Sequence, residues 1–501
     1  MKDFIFIFAI LLQSCAGNGQ DQPIDARFTG LETHIDSLIA EYHAVGLSVA
    51  VVDQGKIVYE NGFGYRDFEN QLIADANTLY GIGSCTKAFT AATLGVLQGQ
   101  GSVKFVDRPS QYIPGLSFYS EEMNDSIQIE HLLTHSSGVG NRSSESTAIV
   151  FETPDARALI PRIKYLRPAA GVGEELMYNN VMYTLAGMVG EGITGETWGK
   201  NLETLLFKPL DMQRSYADYG PASEQSNFSF GYAVDSITPA RVLPEIITTR
   251  APAGSVFSSA HDMSLWLKAW MNQGKAGGKQ VLPETYVSEA ISEKILWPSN
   301  PNDTIPSPDS YYGYGWLTWV DDGYRRVEHS GGVSGYGSNV VFFPEENIGV
   351  VVLTNQTASS LAYSVTDEIV SRLLPKIESD PHDVQFGQVH TILPKDTPTT
   401  INTTLPPTHD LSAFVGNYQH PGFGVVNVTM EGETLYADFP MTKMRLEHYE
   451  NNIFFDRYTE EVPIVMWNFM RLDFRANENG KINTLFINFD PEPVAFEKID
   501  P

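Results

Sequence analysis

Cysteine is nearly missing from this sequence: its 501 residues include Cys15 and Cys85 and no other. A disulfide framework is therefore not expected, and a zinc site built on cysteine would stop at two ligands. Positive charge is scarce too. Lys and Arg number 33 against 61 Asp and Glu, a formal net charge of −28. Such a surface repels a phosphate backbone, which excludes nucleic acid as an expected partner. The eleven histidines show no H-E-x-x-H or comparable spacing, so no metal is expected, and no motif asks for a cofactor. No stretch reaches the roughly 20 apolar residues that span a bilayer. What is present, 42% hydrophobic and 19% charged residues, is the composition of a globular chain long enough for two or three domains.

The longest early apolar run, Phe4 to Leu12, follows Lys2 and gives way to small and polar residues. It has the length of a signal-peptide core. The Leu-Gln-Ser-Cys that ends at Cys15 resembles the lipobox of bacterial lipoproteins. Residues 1–20 are thus read as a signal peptide and lipoprotein tether. The expected location is the bacterial periplasm or cell envelope, with membrane attachment through lipidated Cys15. Cleavage without lipidation is the alternative.

Apolar residues at helical spacing (Leu31, Ile35, Leu38, Ile39) predict an amphipathic helix within residues 28–44. Two β-branched runs flank Asp53-Gln54-Gly55 and predict a hairpin. Ser84 to Leu97 has few breakers and reads as a buried helix. Residues 120–320 mix helical pieces with Gly/Pro-rich loops. Near residue 325 strands return, with apolar runs around Pro344-Glu345-Glu346-Asn347. Strands at both ends around a helical middle predict an α+β domain over residues 21–375: one antiparallel sheet flanked by helices, with an inserted helical lobe. Residues 376–408 are Pro/Thr-rich without periodicity and read as a linker. Residues 409–501 show strand–turn–strand patterns at Glu431-Gly432 and Asn479-Gly480, which predict a small all-β barrel.

Three short motifs carry candidate chemistry. In "GIGSCTKAFTAATLGVL" (81–97), Ser84 and Lys87 stand three apart, on one face of a helix. A serine nucleophile needs an adjacent base. A lysine in a dry pocket lowers its pKa and accepts a proton. Helix-start N–H groups favour developing negative charge. A plain N-cap explains Ser84 equally well, and S-x-x-K arises about once by chance in a chain this long. Tyr178 and Asn180 in "MYNNVMY" form the second motif. A cation beside Tyr178 would favour its phenolate, a general base. The Asn180 amide both donates and accepts, so it can hold a substrate carbonyl and the lysine together. The third, "EHSGGVSG", places His329, Ser330, Gly331 and Gly332 at the start of a predicted strand. Its glycines admit a close substrate backbone, and a strand edge there can pair with an extended acyl chain. A phosphate-binding glycine loop is excluded because a strand, not a helix, follows. Cys85 reads as a small packed residue.

S-x-x-K, Y-x-N and H-x-G in this order resemble the serine β-lactamase and penicillin-binding-protein superfamily, and more narrowly the class C β-lactamase-related serine hydrolases of peptidase family S12. The resemblance covers about residues 28 to 360 and includes "HLLTHSSGV", "PAGSVFSSAHDM" and "YGYGW". It implies Ser84 as acylated nucleophile, with Lys87 and Tyr178 sharing general-base duty. It implies Asn180, His329, Ser330 and Gly331 as substrate-binding residues, and the N–H groups of Ser84 and Gly332 as oxyanion hole. His329 stands where many members carry lysine in K-T-G. An unperturbed histidine is mostly neutral at pH 7, so a fixed cation for a substrate carboxylate is not assured. The implied activity is a serine hydrolase working through an acyl-enzyme on a peptide, amide or ester, in the manner of D-aminopeptidases, carboxypeptidases or esterases. The alternative is a protein that binds or senses cell-wall peptides or β-lactams with little turnover. "YADFPMTKMRLEHYENNIFF" resembles the lipocalin-like β-domain attached to some of these hydrolases.

Overall fold

The computed structural model describes residues 25–139, 155–235, 237–297, 309–357, 359–374, 405–439, 442–457, 470–488 and 493–499. The signal segment, Cys15 and all but the last few residues of the expected linker lie outside them.

The helix expected near residue 31 runs Leu31–Glu41 (α1). The first hairpin joins β1 (Gly46–Asp53) to β2 (Lys56–Asp67). Its two-residue turn, Gln54 and Gly55, has φ of 49° and 74°, the left-handed pair that matches strand twist in tight hairpins. A short β3 (Leu72–Ile73) follows. The remaining sheet strands come from far along the chain: β4 (Ile295–Leu296), β5 (Tyr311–Tyr312), β6 (Leu317–Asp321), β7 (Tyr324–Val333), β8 (Tyr336–Phe343) and β9 (Ile348–Thr354). They form one nine-stranded sheet in the order β4-β5-β6-β7-β8-β9-β1-β2-β3. Its centre is the antiparallel pairing of β1 with β9, from Leu47 opposite Thr354 to Asp53 opposite Ile348.

Both faces of the sheet are covered, which explains the continuous apolar runs in β1, β8 and β9. On one face, α1 and α7 (Leu361–Leu373) pack Leu31, Ile35, Val365 and Ile369 onto Leu47, Val49, Val350 and Val352. On the other lie α2 (Thr86–Gly99) and α6 (Ala260–Met271), with Phe89 and Trp266 stacked at 4.1 Å between ring centroids. Each fully buried side chain of this kind contributes about 1.5–3 kcal/mol. The helical lobe adds α3 (Ile129–Leu133), α4 (Asn180–Thr194) and the one-turn α5 (Ala251–Gly254).

The C-terminal strands close into a barrel: β10 (Gly416–His420), β11 (Gly424–Glu431), β12 (Thr434–Phe439), β13 (Thr442–Glu450), β14 (Ile453–Arg457), β15 (Arg471–Ala476), β16 (Ile482–Ile487) and β17 (Val494–Ile499). Pairing of β10 with β17 completes the ring. Phe414, Tyr418, Phe454, Phe474 and Phe496 fill its interior. The β10–β11 turn meets the lobe, where Arg162 Nε donates to the Gly422 carbonyl at 2.8 Å.

β7 begins at Tyr324, where strands were expected to return near residue 325, even though its first residues are charged. Arg326 is buried, yet it sits among Asp321, Glu328 and Asp367 at 3.4, 2.6 and 3.1 Å. A buried, paired arginine breaks the apolar alternation by which a strand is recognised.

Candidate active site

Ser84 stands in a single 3-10 turn, Gly83–Cys85, that runs directly into α2. Gly83 has φ of 49°, and a Cβ there would lie 2.6 Å from the Gly332 nitrogen. Only glycine allows both the conformation and the approach. The turn is fixed from two sides. Ile82 N–H donates to the Val256 carbonyl at 2.9 Å, beyond α5. Cys85 Sγ lies 3.1 Å from the His329 carbonyl and 3.2 Å from Ser338 Oγ. Burial pushes the Cys85 thiol up to about 12, so it serves packing rather than nucleophilic chemistry.

Lys87 is fully buried. Its Nζ lies 2.9 Å from Ser84 Oγ and 2.9 Å from the Ala253 carbonyl of α5. It also sits 4.7 Å from the Tyr178 ring centroid and 5.6 Å from that of Tyr183. Burial, then the Arg250 charge, hold its pKa well below the usual lysine value. The Tyr178 phenol is hydrogen-bonded to Ser84, but burial raises its pKa above the ordinary tyrosine value. Both Lys87 and Tyr178 thus reach the Ser84 hydroxyl, and burial acts on each by disfavouring its charged form.

Asn180 opens α4, two residues after Tyr178. Asn179 caps that helix through its side chain, accepting from the Val181 N–H. The expected contact between Asn180 and the lysine is replaced by the Ala253 carbonyl. Asn180 Oδ1 is buried without a hydrogen-bond partner among the described residues.

His329 lies inside the cluster and carries no charge. Its Nδ1 is 2.6 Å from the Ser330 carbonyl, and its Nε2 is 3.0 Å from the Tyr312 hydroxyl. A carbonyl only accepts, so Nδ1 holds the proton and Nε2 accepts from Tyr312. Burial, aided by Lys87, pushes its pKa down to about 3. Val327 belongs to the core on the α2 side, and alternation along β7 puts His329 and Gly331 on that side too. Ser330 falls on the opposite face, where its hydroxyl bonds Tyr363 of α7. The Ser330 hydroxyl thus lies beneath the strand. At Gly331 a Cβ would meet the Ile82 carbonyl at 2.0 Å and Ser338 Oγ at 2.6 Å, so the missing side chain lets the Ser84 turn seat against the strand. At Gly332 a Cβ would meet nothing within 4 Å among the described residues.

β6 covers β7 only as far as Glu328, opposite Leu317. From His329 onward β7 is paired with β8 alone. The two-residue turn Ser334-Gly335 joins β7 to β8, with Val333 opposite Tyr336. Ladder alternation then turns the Gly332 N–H toward the uncovered edge, beside Ser84.

Two residues of the site were quoted in the sequence only within supporting stretches. His135, from "HLLTHSSGV", stacks 4.1 Å from Tyr178 and accepts the Asn179 N–H on Nδ1 at 3.1 Å. Tyr312, from "YGYGW", orients His329. Trp297 was not singled out; its ring lies 6.2 Å from Tyr178 and 6.1 Å from Tyr312. No local periodicity marks it.

Fold and site together place the protein in the β-lactamase and penicillin-binding class. The chain belongs to the Beta-lactamase family, whose model matches residues 31–370. Residues 402–498 match a domain of unknown function, DUF3471. Protein flp of Staphylococcus aureus (strain COL) is 27% identical over 335 residues, 65% of this chain, and the match spans 62% of that relative's length. The unguisins hydrolase ungD of Aspergillus violaceofuscus is 25% identical over 83% of this chain and 78% of its own. The fold is similar to that of the octameric penicillin-binding protein homologue from Pyrococcus abyssi. The TM-score is 0.61 at 23% identity, over 94% of this chain and 99% of that one.

Proposed function

We propose that this protein is a serine hydrolase that forms an acyl-enzyme on Ser84 and acts on esters or amides lacking a carboxylate beside the reactive carbonyl. The observation that carries this is Lys87 Nζ at 2.9 Å from Ser84 Oγ, fully buried, with burial lowering its pKa and so favouring the uncharged amine. One amine N–H is spent on the Ala253 carbonyl, which leaves the lone pair for the serine proton. Ser84 Oγ attacks the substrate carbonyl as its proton moves to Lys87. The tetrahedral oxyanion is held by the N–H groups of Ser84 and Gly332. The carbonyl then re-forms, its bond to the leaving alcohol or amine breaks, and the proton passes by way of Tyr178 to that leaving group, which leaves the acyl ester on Ser84. In the second half water attacks this ester as Lys87 takes its proton; the acyl–Oγ bond breaks, the proton returns to Ser84 Oγ and the acid is released. Asn180 Oδ1, buried and unpartnered among the described residues, accepts an N–H from an amide substrate.

Intact-mass analysis after fluorophosphonate treatment tests the chemistry. One adduct is expected on the wild type and none on Ser84→Ala. No adduct, or one that persists in the variant, would end this reading. Saturable binding of cell-wall peptide with no adduct and no turnover would favour a sensing role instead.

The preference for uncharged substrates rests on His329. A charge-assisted hydrogen bond contributes about 1.5–3 kcal/mol, and a histidine titrating near 3 supplies no cation above about pH 4. Matched peptides ending in an amide and in a free carboxylate are expected to differ at least about tenfold in kcat/KM in favour of the amide. The ratio should hold from pH 5 to 8. A ratio that falls as pH drops through 6.5 would mean that His329 protonates and binds the acid.

A further inference from the structure

Arg250 and Glu245 join the two halves of the site, and neither belongs to any of its motifs. The guanidinium is 9% exposed and Glu245 14% exposed, with 2.5 Å between Arg250 Nη2 and Glu245 Oε1. The other Glu245 oxygen, Oε2, lies 3.4 Å from the Ser334 N–H, and Ser334 Oγ lies 3.3 Å from the Leu243 carbonyl. Ser334 is the turn residue that ends β7, two positions after Gly332. At the other end, Arg250 caps α5: its carbonyl accepts the Ala253 N–H at 2.8 Å. The carbonyl of that same Ala253 takes the Lys87 amine. A continuous path therefore runs from the oxyanion strand through Ser334, Glu245, Arg250 and Ala253 to the proton acceptor.

We propose that Glu245 and Arg250 are positioning residues for the Ser84 chemistry, a buried ion pair that braces α5 against the β7–β8 turn and keeps the Lys87 amine ready to accept a proton. This rests on the hydrolase reading. The titratable and charged groups that act on Lys87 or face it are Cys85 beside the nucleophile, Tyr178 and Tyr183 from the α4 side, His135, His329 of β7, and Arg250. His135 and His329 are both held neutral by burial. Arg250 is thus the fixed cation of the set, and Glu245 sets how much of its field reaches the amine.

The pair makes a signed prediction. Arg250→Gln removes the cation, so the amine protonates at higher pH, and the acid limb of kcat/KM rises by about one pH unit. Glu245→Gln keeps a hydrogen bond to Arg250 but removes the countercharge, so the limb falls. Arg250→Lys should restore the wild-type limb. A merely structural role would lower activity or stability in these variants without moving the limb in opposite directions. The same titration is read without turnover by NMR on protein carrying lysine labelled at the ε-carbon, with the Lys87 signal assigned by its loss in Lys87→Met. Limbs and titrations that coincide with the wild type, or that shift the same way in both variants, would overturn the brace. Should Arg250→Gln not fold, an unmoved Lys87 titration in Glu245→Gln suffices to overturn it. If the wild type neither turns over nor takes the fluorophosphonate, the hydrolase reading fails while the NMR titration still decides the brace.

Discussion

Lys87→Met is expected to lower kcat by about 100- to 10,000-fold, the usual contribution of a positioned general base, while raising thermal stability at neutral pH. Among the described residues, the neighbouring groups are poor replacements. Tyr178 holds its proton more tightly than a free tyrosine. His329 has one nitrogen protonated against Ser330 and the other occupied by Tyr312. His135 uses Nδ1 to accept from Asn179. The stability gain has a defined pH dependence. Burial lowers the Lys87 pKa in the folded state below the unfolded value of 10.5. A lowered base is a penalty on folding, because the unfolded chain binds the proton more tightly. The penalty is carried in full below the folded-state pKa and vanishes above the unfolded one. Methionine has no such term. Paired melts near pH 6 and pH 10 should therefore show the variant's advantage shrinking as pH rises, less a constant loss from the unpaired Ala253 carbonyl. Retained turnover, or an advantage that grows with pH, would show that the amine is not a neutral base.

Gly331→Ala has the second large effect, from a single methyl group. The new Cβ would stand 2.0 Å from the Ile82 carbonyl, which is backbone and cannot rotate away. β7 or the nucleophile turn must move. Overpacking of this kind costs about 1–3 kcal/mol. The displacement falls on Ser84 and Gly332 together, and misplacing an oxyanion donor costs about 100- to 1,000-fold in kcat. Gly332→Ala is the control for stability, because its Cβ would enter open space. Denaturant melts and steady-state kinetics on both variants check this. A Gly331→Ala protein as stable and as active as wild type would mean that the strand and the turn do not press together as described.

Much of this architecture was legible in the sequence where local chemistry decides the outcome. Gln54-Gly55 could only be a tight turn between two β-branched runs. Leu31, Ile35, Leu38 and Ile39 marked one face of α1. Ser84 and Lys87 needed only helical spacing to be placed together. What stayed hidden depends on distant pairing. Tyr312 reaches His329 because β5, β6 and β7 lie side by side, an adjacency that no local spacing in residues 312–329 announces. H-x-G names residues without saying which face each takes, and alternation along β7 gives the faces only once Val327 is known to be core. Glu245 and Arg250 lie on an irregular segment with no period at all.

The pairing of β1 with β9 has a consequence in time. Leu47 meets its neighbour Thr354, 307 positions further along the chain, only after that whole stretch has been made. At the usual synthesis rate of about 5–20 residues per second, that is a wait of roughly 15–60 s. During it, the apolar strand Leu47–Val52 has β2 on one edge and α1 on one face but lacks its β9 neighbour, and isolated hairpins are marginal in water. The nascent chain is therefore expected to stay open, and dependent on helper proteins, until its last sheet strands emerge. The middle of the sheet can be completed only once β9 has been made, with α7 alone of the described helices still to follow.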